Sequence, residues 1–93
     1  MINGNLKEFI DGLYYGDERV FVYHNIKYFI QGFFEEEQYK LMLDIWEPKS
    51  SNTSYIWEKG DKNGYPVEKF LKEKLFEGKT FLDIEQDIEW VDS

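Results

Sequence analysis

The sequence predicts a small α+β domain: an N-terminal helix, an antiparallel meander of three to four strands, then one or two C-terminal helices packed on one sheet face. Three observations carry this prediction. Apolar residues recur at helical spacing near the start, change to two-residue alternation between Arg19 and Trp46, and return to helical spacing after Pro66. No linker composition and no internal repeat divides the chain, so residues 1–93 are read as one domain.

Leu6, Phe9, Ile10 and Leu13 form the first apolar stripe. Asn5 is placed to cap it, with Glu8 three residues on as the reciprocal partner. Gly12 weakens the last turn and Gly16 offers a positive-φ exit, which predicts a short helix over Leu6–Tyr14.

"RVFVY", "KYFIQGF" and "YKLMLDIW" then read as three strands, rich in β-branched and aromatic residues. A two-residue turn at His24-Asn25, or at Asn25-Ile26, puts Phe21, Tyr23, Tyr28 and Ile30 on one face in either register, because the two differ by an even step. A four-residue turn over Glu35–Gln38 pairs Phe34 with Tyr39 and adds Leu41, Leu43 and Ile45 to that face. This is the predicted core side. The other side carries Val20, Val22, Lys27, Phe29, Gln31, Lys40, Met42, Asp44 and Trp46. It is too apolar for a simple solvated face, so Val22, Phe29, Met42 and Trp46 are either covered by another element or form a contact patch.

Tyr55, Ile56 and Trp57 stand out in the polar stretch after Pro48, which predicts a short fourth strand over Thr53–Glu58 with "GDKNG" as the loop behind it. Pro66 is suited to start a helix. Val67, Phe70, Leu71 and Leu75 give that helix its stripe, and Gly78 stops it. In the closing "FLDIEQDIEWVDS", Thr80 and Asp83 have capping-box spacing. A short helix is expected from Phe81, fraying or extending near Ile88. The alternation of Leu82, Ile84, Ile88 and Trp90 with acids leaves a strand as the other reading.

Composition narrows function more by exclusion than by indication. Aromatics make up 19% of the chain, enough to compensate for the modest core of so short a sequence. Cysteine is absent, so no disulfide, thiolate nucleophile or cysteine-based metal site forms. The N-terminus lacks the basic start and apolar run of a signal peptide, and no apolar run approaches the ~20 residues of a membrane helix. A soluble, cytoplasmic protein is expected. The net charge of −8 and a single arginine, Arg19, argue against nucleic acid, whose affinity rests on Lys and Arg releasing counterions.

Catalytic and metal chemistry finds little support. "DIEQDIE" lacks the central glycine and terminal glutamate of a calcium loop. His24 is the lone histidine and suits a hairpin turn, and no nucleophile-elbow glycines surround any serine. "GDKNG" fits neither phosphate-loop pattern. No enzyme, cofactor or metal site is expected. The stretch "FLKEKLFEGKTFLDIEQDIEWVD" resembles the general run of small bacterial proteins without the motif of a named family.

The function expected from the sequence is a non-enzymatic protein-binding module, of the immunity or inhibitor kind, directed at a basic partner. Its expected contact residues are the aromatic and apolar Trp57, Trp46, Phe29, Met42 and Tyr55, with the acids Asp83, Glu85, Asp87 and Glu89. Trp57 ranks first, because it stands in an otherwise polar connection. The alternatives are a small-molecule-binding domain using the Tyr23 and Tyr28 hydroxyls, and a self-associating protein, monomer or homodimer.

Overall fold

A computed structural model describes residues 1–47 and 56–91. Helix α1 (Leu6–Leu13) leads into strands β1 (Arg19–Tyr23), β2 (Ile26–Glu35), β3 (Gln38–Glu47) and β4 (Trp57–Asp61). Helices α2 (Val67–Lys72) and α3 (Phe81–Ile84) follow, then a 3-10 turn over Glu85–Asp87 and a last strand, β5 (Glu89–Val91). The strands make one antiparallel sheet in the order β4-β3-β2-β1-β5.

The two hairpins set the register by the same means. His24 and Asn25 both take positive φ (48° and 64°), as do Glu36 and Glu37 (55° and 63°). Two consecutive positive-φ residues make the two-residue turn whose twist matches that of the strands. The second turn is therefore tighter than expected: Glu35 pairs with Gln38, and Phe34 faces Tyr39 as the alternation required. Gly16 exits α1 at φ 78°, and the Asn5 side chain accepts a hydrogen bond from the Glu8 N–H at 3.1 Å.

Two further expectations need correction, and one open choice is resolved. The fourth strand runs on past Glu58: its described part is Trp57–Asp61, and the "GD" of the expected loop lies within it. The ten-residue β3 offers a long edge, along which Tyr39–Leu43 pair with Trp57–Asp61. Gly60 suits that register, since a Cβ there would run into the Gln38 side chain. Thr53 to Tyr55, including the expected contact residue Tyr55, lie outside the described residues.

Second, α2 ends at Lys72, short of Gly78. The chain turns back instead between Phe76 and Lys79, through Glu77 and Gly78 at positive φ. Third, the C-terminal element is both helix and strand. Thr80 and Asp83 cap α3 reciprocally, but Glu89–Val91 then pairs with β1, Trp90 facing Phe21. Ile2 adds a parallel bridge on the far side of β5, with its N–H on the Ile88 carbonyl at 2.8 Å.

All three helices serve one face of the sheet. Phe9 from α1, Phe70 from α2, Phe81 from α3 and Phe76 from the turn meet Phe21, Tyr28, Ile30, Leu41 and Leu43 in a continuous core. Phe81 is its centre, with ring centroids 5.4 Å from Phe9, 5.5 Å from Phe21, 5.4 Å from Phe70 and 6.3 Å from Phe76. Rings at these separations and mixed tilts gain contact energy beyond area burial.

Candidate functional site

The expected contact residues separate into three environments. Trp57 is a core residue: 8% exposed, it lies 5.6 Å from the Phe70 ring, because α2 folds back over β4. Its place in a polar stretch of sequence reflects only that its cover comes from elsewhere in the chain. Its indole N–H is buried without a partner among the described residues.

Phe29, Met42 and Trp46 lie together on the sheet face opposite the helices. Register places Val20 beside Phe29, Phe29 beside Asp44 and Gln31 beside Met42 across neighbouring strands. Phe29 and Trp46 meet edge-to-face at 5.5 Å. Val20 and Met42 are sunk to 1% and 5% exposure, yet both stand apart from the main core cluster. Around them Val22, Phe29, Phe33 and Val91 are half-buried, and Trp46 is 37% exposed. No described helix packs on this face. The carboxylates Asp44, Glu58 and Glu89 share it, since they are cross-strand partners of Phe29, Met42 and Val22.

The C-terminal acids mostly serve the fold. Asp83 accepts the Thr80 N–H at 3.0 Å, while Thr80 Oγ1 accepts the Asp83 N–H at 3.2 Å. Hydrogen bonding from the Thr80 backbone N–H, and then from its side chain, holds the carboxyl below the ordinary aspartate range, with smaller help from Lys74 and Lys79. Glu85 Oε2 lies 3.0 Å from the Met1 ammonium, and Glu89 Oε2 accepts from Asn3 Nδ2 at 2.8 Å. The segment thus clasps the first residues against β5. Asp87 alone of the four makes no side-chain hydrogen bond or ion pair among the described residues.

The rings of the two tyrosines considered for a small-molecule cleft pack into the core. Tyr23 and Tyr28 are 3% and 8% exposed, and Phe76 packs edge-on to both. Burial pushes the Tyr28 phenol above its ordinary value, and Glu77 and Tyr23 add to the shift, so it stays protonated. His24 is a hairpin residue stacked on Tyr23 at 3.9 Å, with Nδ1 3.4 Å from Glu77 Oε1. Among the described residues, no group of three or more His, Asp or Glu is placed to hold a metal ion, and no helix is long and apolar enough to cross a membrane.

A second aromatic surface lies at the β2–β3 hairpin end of the sheet. Phe34, Tyr39 and Tyr65 form a chain of edge-to-face contacts, with centroids 5.0 and 5.2 Å apart. Phe34 is 61% exposed, and Tyr14 and Tyr15 stand out nearby at 47% and 81%. Tyr65 is seated against Gly16 and Gly32, where a Cβ at either would fall 2.6 Å from its ring. Beside it opens a cleft of about 440 Å³ shared by Tyr14, Tyr65, Asp61, Glu68 and Lys69. These residues are scattered along the sequence, and the only signal there is the number of tyrosines. Comparison with known proteins supplies no relative: no family model, curated protein or solved structure matches the chain.

Proposed function

We propose that this chain is a non-enzymatic protein-binding module that meets a basic partner through the open face of its sheet, as an inhibitor or immunity protein would. The observation that carries the reading is the Phe29–Trp46 pair, set among half-buried Val22, Phe33 and Val91 on a face that no described helix covers. Large aromatics at a water-facing surface are frequent anchors of protein interfaces. Asp44, Glu58 and Glu89 on the same face and the net charge of −8 favour a basic partner, speeding encounter and fixing orientation.

On this reading the expected contact residues take different roles. Trp46 and Phe29 are the anchors, Met42 is buried on the same face, and Trp57 belongs to the core. The acids at 83, 85 and 89 act first in folding.

The test is capture of partners from host lysate by the wild type, run beside Trp46→Ser and Phe29→Ser variants shown to be folded by circular dichroism. A basic protein held by the wild type, released by either substitution and by raised salt, supports the reading. Equal capture by all three baits rejects this face. Concentration-dependent sedimentation abolished by Trp46→Ser would instead identify the face as a homodimer interface.

A further inference from the structure

The cleft beside Tyr65 lies at the hairpin end of the sheet, on the helix side, away from the Phe29–Trp46 face. Its walls combine two tyrosines, Tyr14 and Tyr65, with two carboxylates, Asp61 and Glu68. Tyr39 links it to the hairpin tip: its ring is 5.2 Å from Tyr65, and it pairs with Asp61 across β3 and β4. At that tip stand Glu35, Glu36 and Glu37, all exposed. Aromatic faces and carboxylates attract the same kind of group, a cation with a flat or polarisable body.

A cation already occupies the rim. Lys69 Nζ lies 4.0 Å from Asp61 Oδ2, a long and exposed pair that contributes little to stability. The Lys69 side chain is 59% exposed, so water can take its place beside Asp61. The carboxylate it loosely holds is therefore available to a better-fitting competitor. A guanidinium meets that description, because its plane stacks on tyrosine while its fork engages a carboxylate through two N–H donors.

We infer that this cleft is a second binding site, which receives an arginine side chain from a basic protein segment between Tyr14 and Tyr65, with Asp61 and Glu68 as its counter-charges and Lys69 as the group it displaces. The hairpin acids Glu35–Glu37 extend the field toward further basic residues of the same segment. This site is independent of the open sheet face: either can fail while the other stands.

The experiment titrates the ¹⁵N-labelled full chain, by NMR at low salt, with a capped Gly-Arg repeat peptide and with the same peptide carrying citrulline for arginine. Saturable shifts at Tyr14, Tyr65, Asp61 and Glu68 with the arginine peptide only are expected. Tyr14→Leu and Glu68→Gln should each weaken binding by roughly threefold or more. Asp61→Asn should do the same while keeping an oxygen for the Asn63 N–H, which Asp61 now accepts at 2.8 Å. Lys69→Met should tighten binding, whereas Lys72→Met, which removes the same charge from the same helix, should change it far less. Trp46→Ser should leave it unaltered. The inference is overturned if the citrulline peptide binds equally, if the shifts spread over all acidic surfaces, if Lys69→Met and Lys72→Met act alike, or if neither peptide binds.

Discussion

The two faces of the sheet are built from similar residues and end in different states. On the helix side, Phe21, Ile30, Leu41 and Leu43 are sealed at 0% exposure beneath the rings of Phe9, Phe70, Phe76 and Phe81. On the other side, Phe29 and Trp46 pack edge-to-face on each other, with Val20 opposite Phe29 across the strands, and both rings remain partly wet. Hydrophobicity alone does not distinguish them. What does is whether a second layer of the chain arrives: the helix side receives three helices, and no described helix reaches the other. An aromatic on the covered face contributes chiefly to folding, whereas one on the open face has its contact surface left to offer.

Removing a ring from each face is the sharpest way to break this contrast. Phe81→Ala, at the meeting point of four other phenylalanines, should destabilise the protein by about 3–5 kcal/mol in urea unfolding. So large a loss threatens folding of a small domain altogether. Trp46→Ser should cost under ~1 kcal/mol, because solvent already reaches the indole and no cavity is left. A comparable loss at both positions would mean that the open face is a core in its own right.

Two intermediate effects test how the elements are held. Replacing Glu36-Glu37 by Asn-Gly should stabilise the protein by about 1 kcal/mol, since both glutamates occupy the left-handed region that Asn and Gly tolerate more easily. The Glu36–Lys40 pair lost with them is long, with its carboxylate largely in solvent, and contributes little. An unchanged urea midpoint would show that the hairpin carries no such strain. Thr80→Ala should cost about 1 kcal/mol by removing the helix cap.

The same cap has a pH signature. The Asp83 carboxyl is lowered in the folded state from the ordinary value of 3.8. Its contribution is present above that value and is lost as pH falls through the depressed folded value, where the unfolded chain takes up the proton first. In Thr80→Ala the acid limb of the stability curve should be shallower. An identical limb in both proteins would mean that other carboxylates dominate acid unfolding.

How much of this was legible in the sequence follows from the range of each interaction. Alternation is local, so the assignment of Phe21, Tyr28, Ile30, Leu41 and Leu43 to one face needed no knowledge of the fold. Turn chemistry is also local, but it did not reveal the Glu36-Glu37 turn, because a glutamate pair carries none of the Asn-Gly signal. The strand at Glu89–Val91 depends on β1, whose sequence lies near the other end of the chain; the local pattern suited helix and strand alike. Trp57 reads as a contact residue because its sequence neighbours are polar, while the residue that buries it, Phe70, comes from α2. The Tyr14–Tyr65 cleft was invisible for the same reason: its tyrosines and carboxylates meet only after β4 and α2 have docked.

The sheet's connectivity has a consequence for the order in which the molecule opens. Strands β1 to β4 are neighbours in sequence as well as in space, so each pairing closes a loop far shorter than that of β5 on β1. Loop closure costs more entropy as the loop lengthens, although slowly. Among the described residues, the β5 edge has three strand residues, one parallel bridge to Ile2, the Met1–Glu85 ion pair, the Asn3–Glu89 hydrogen bond and the packing of Trp90 on Phe9 and Arg19 to repay that cost. Native-state hydrogen exchange should therefore find the amides of Val91 and Trp90 released through small openings, while those of Ile30 and Leu43, in the middle of β2 and β3, exchange only on global unfolding. In such a molecule the clasp between the first residues and the last strand is the first thing to let go and the last to form.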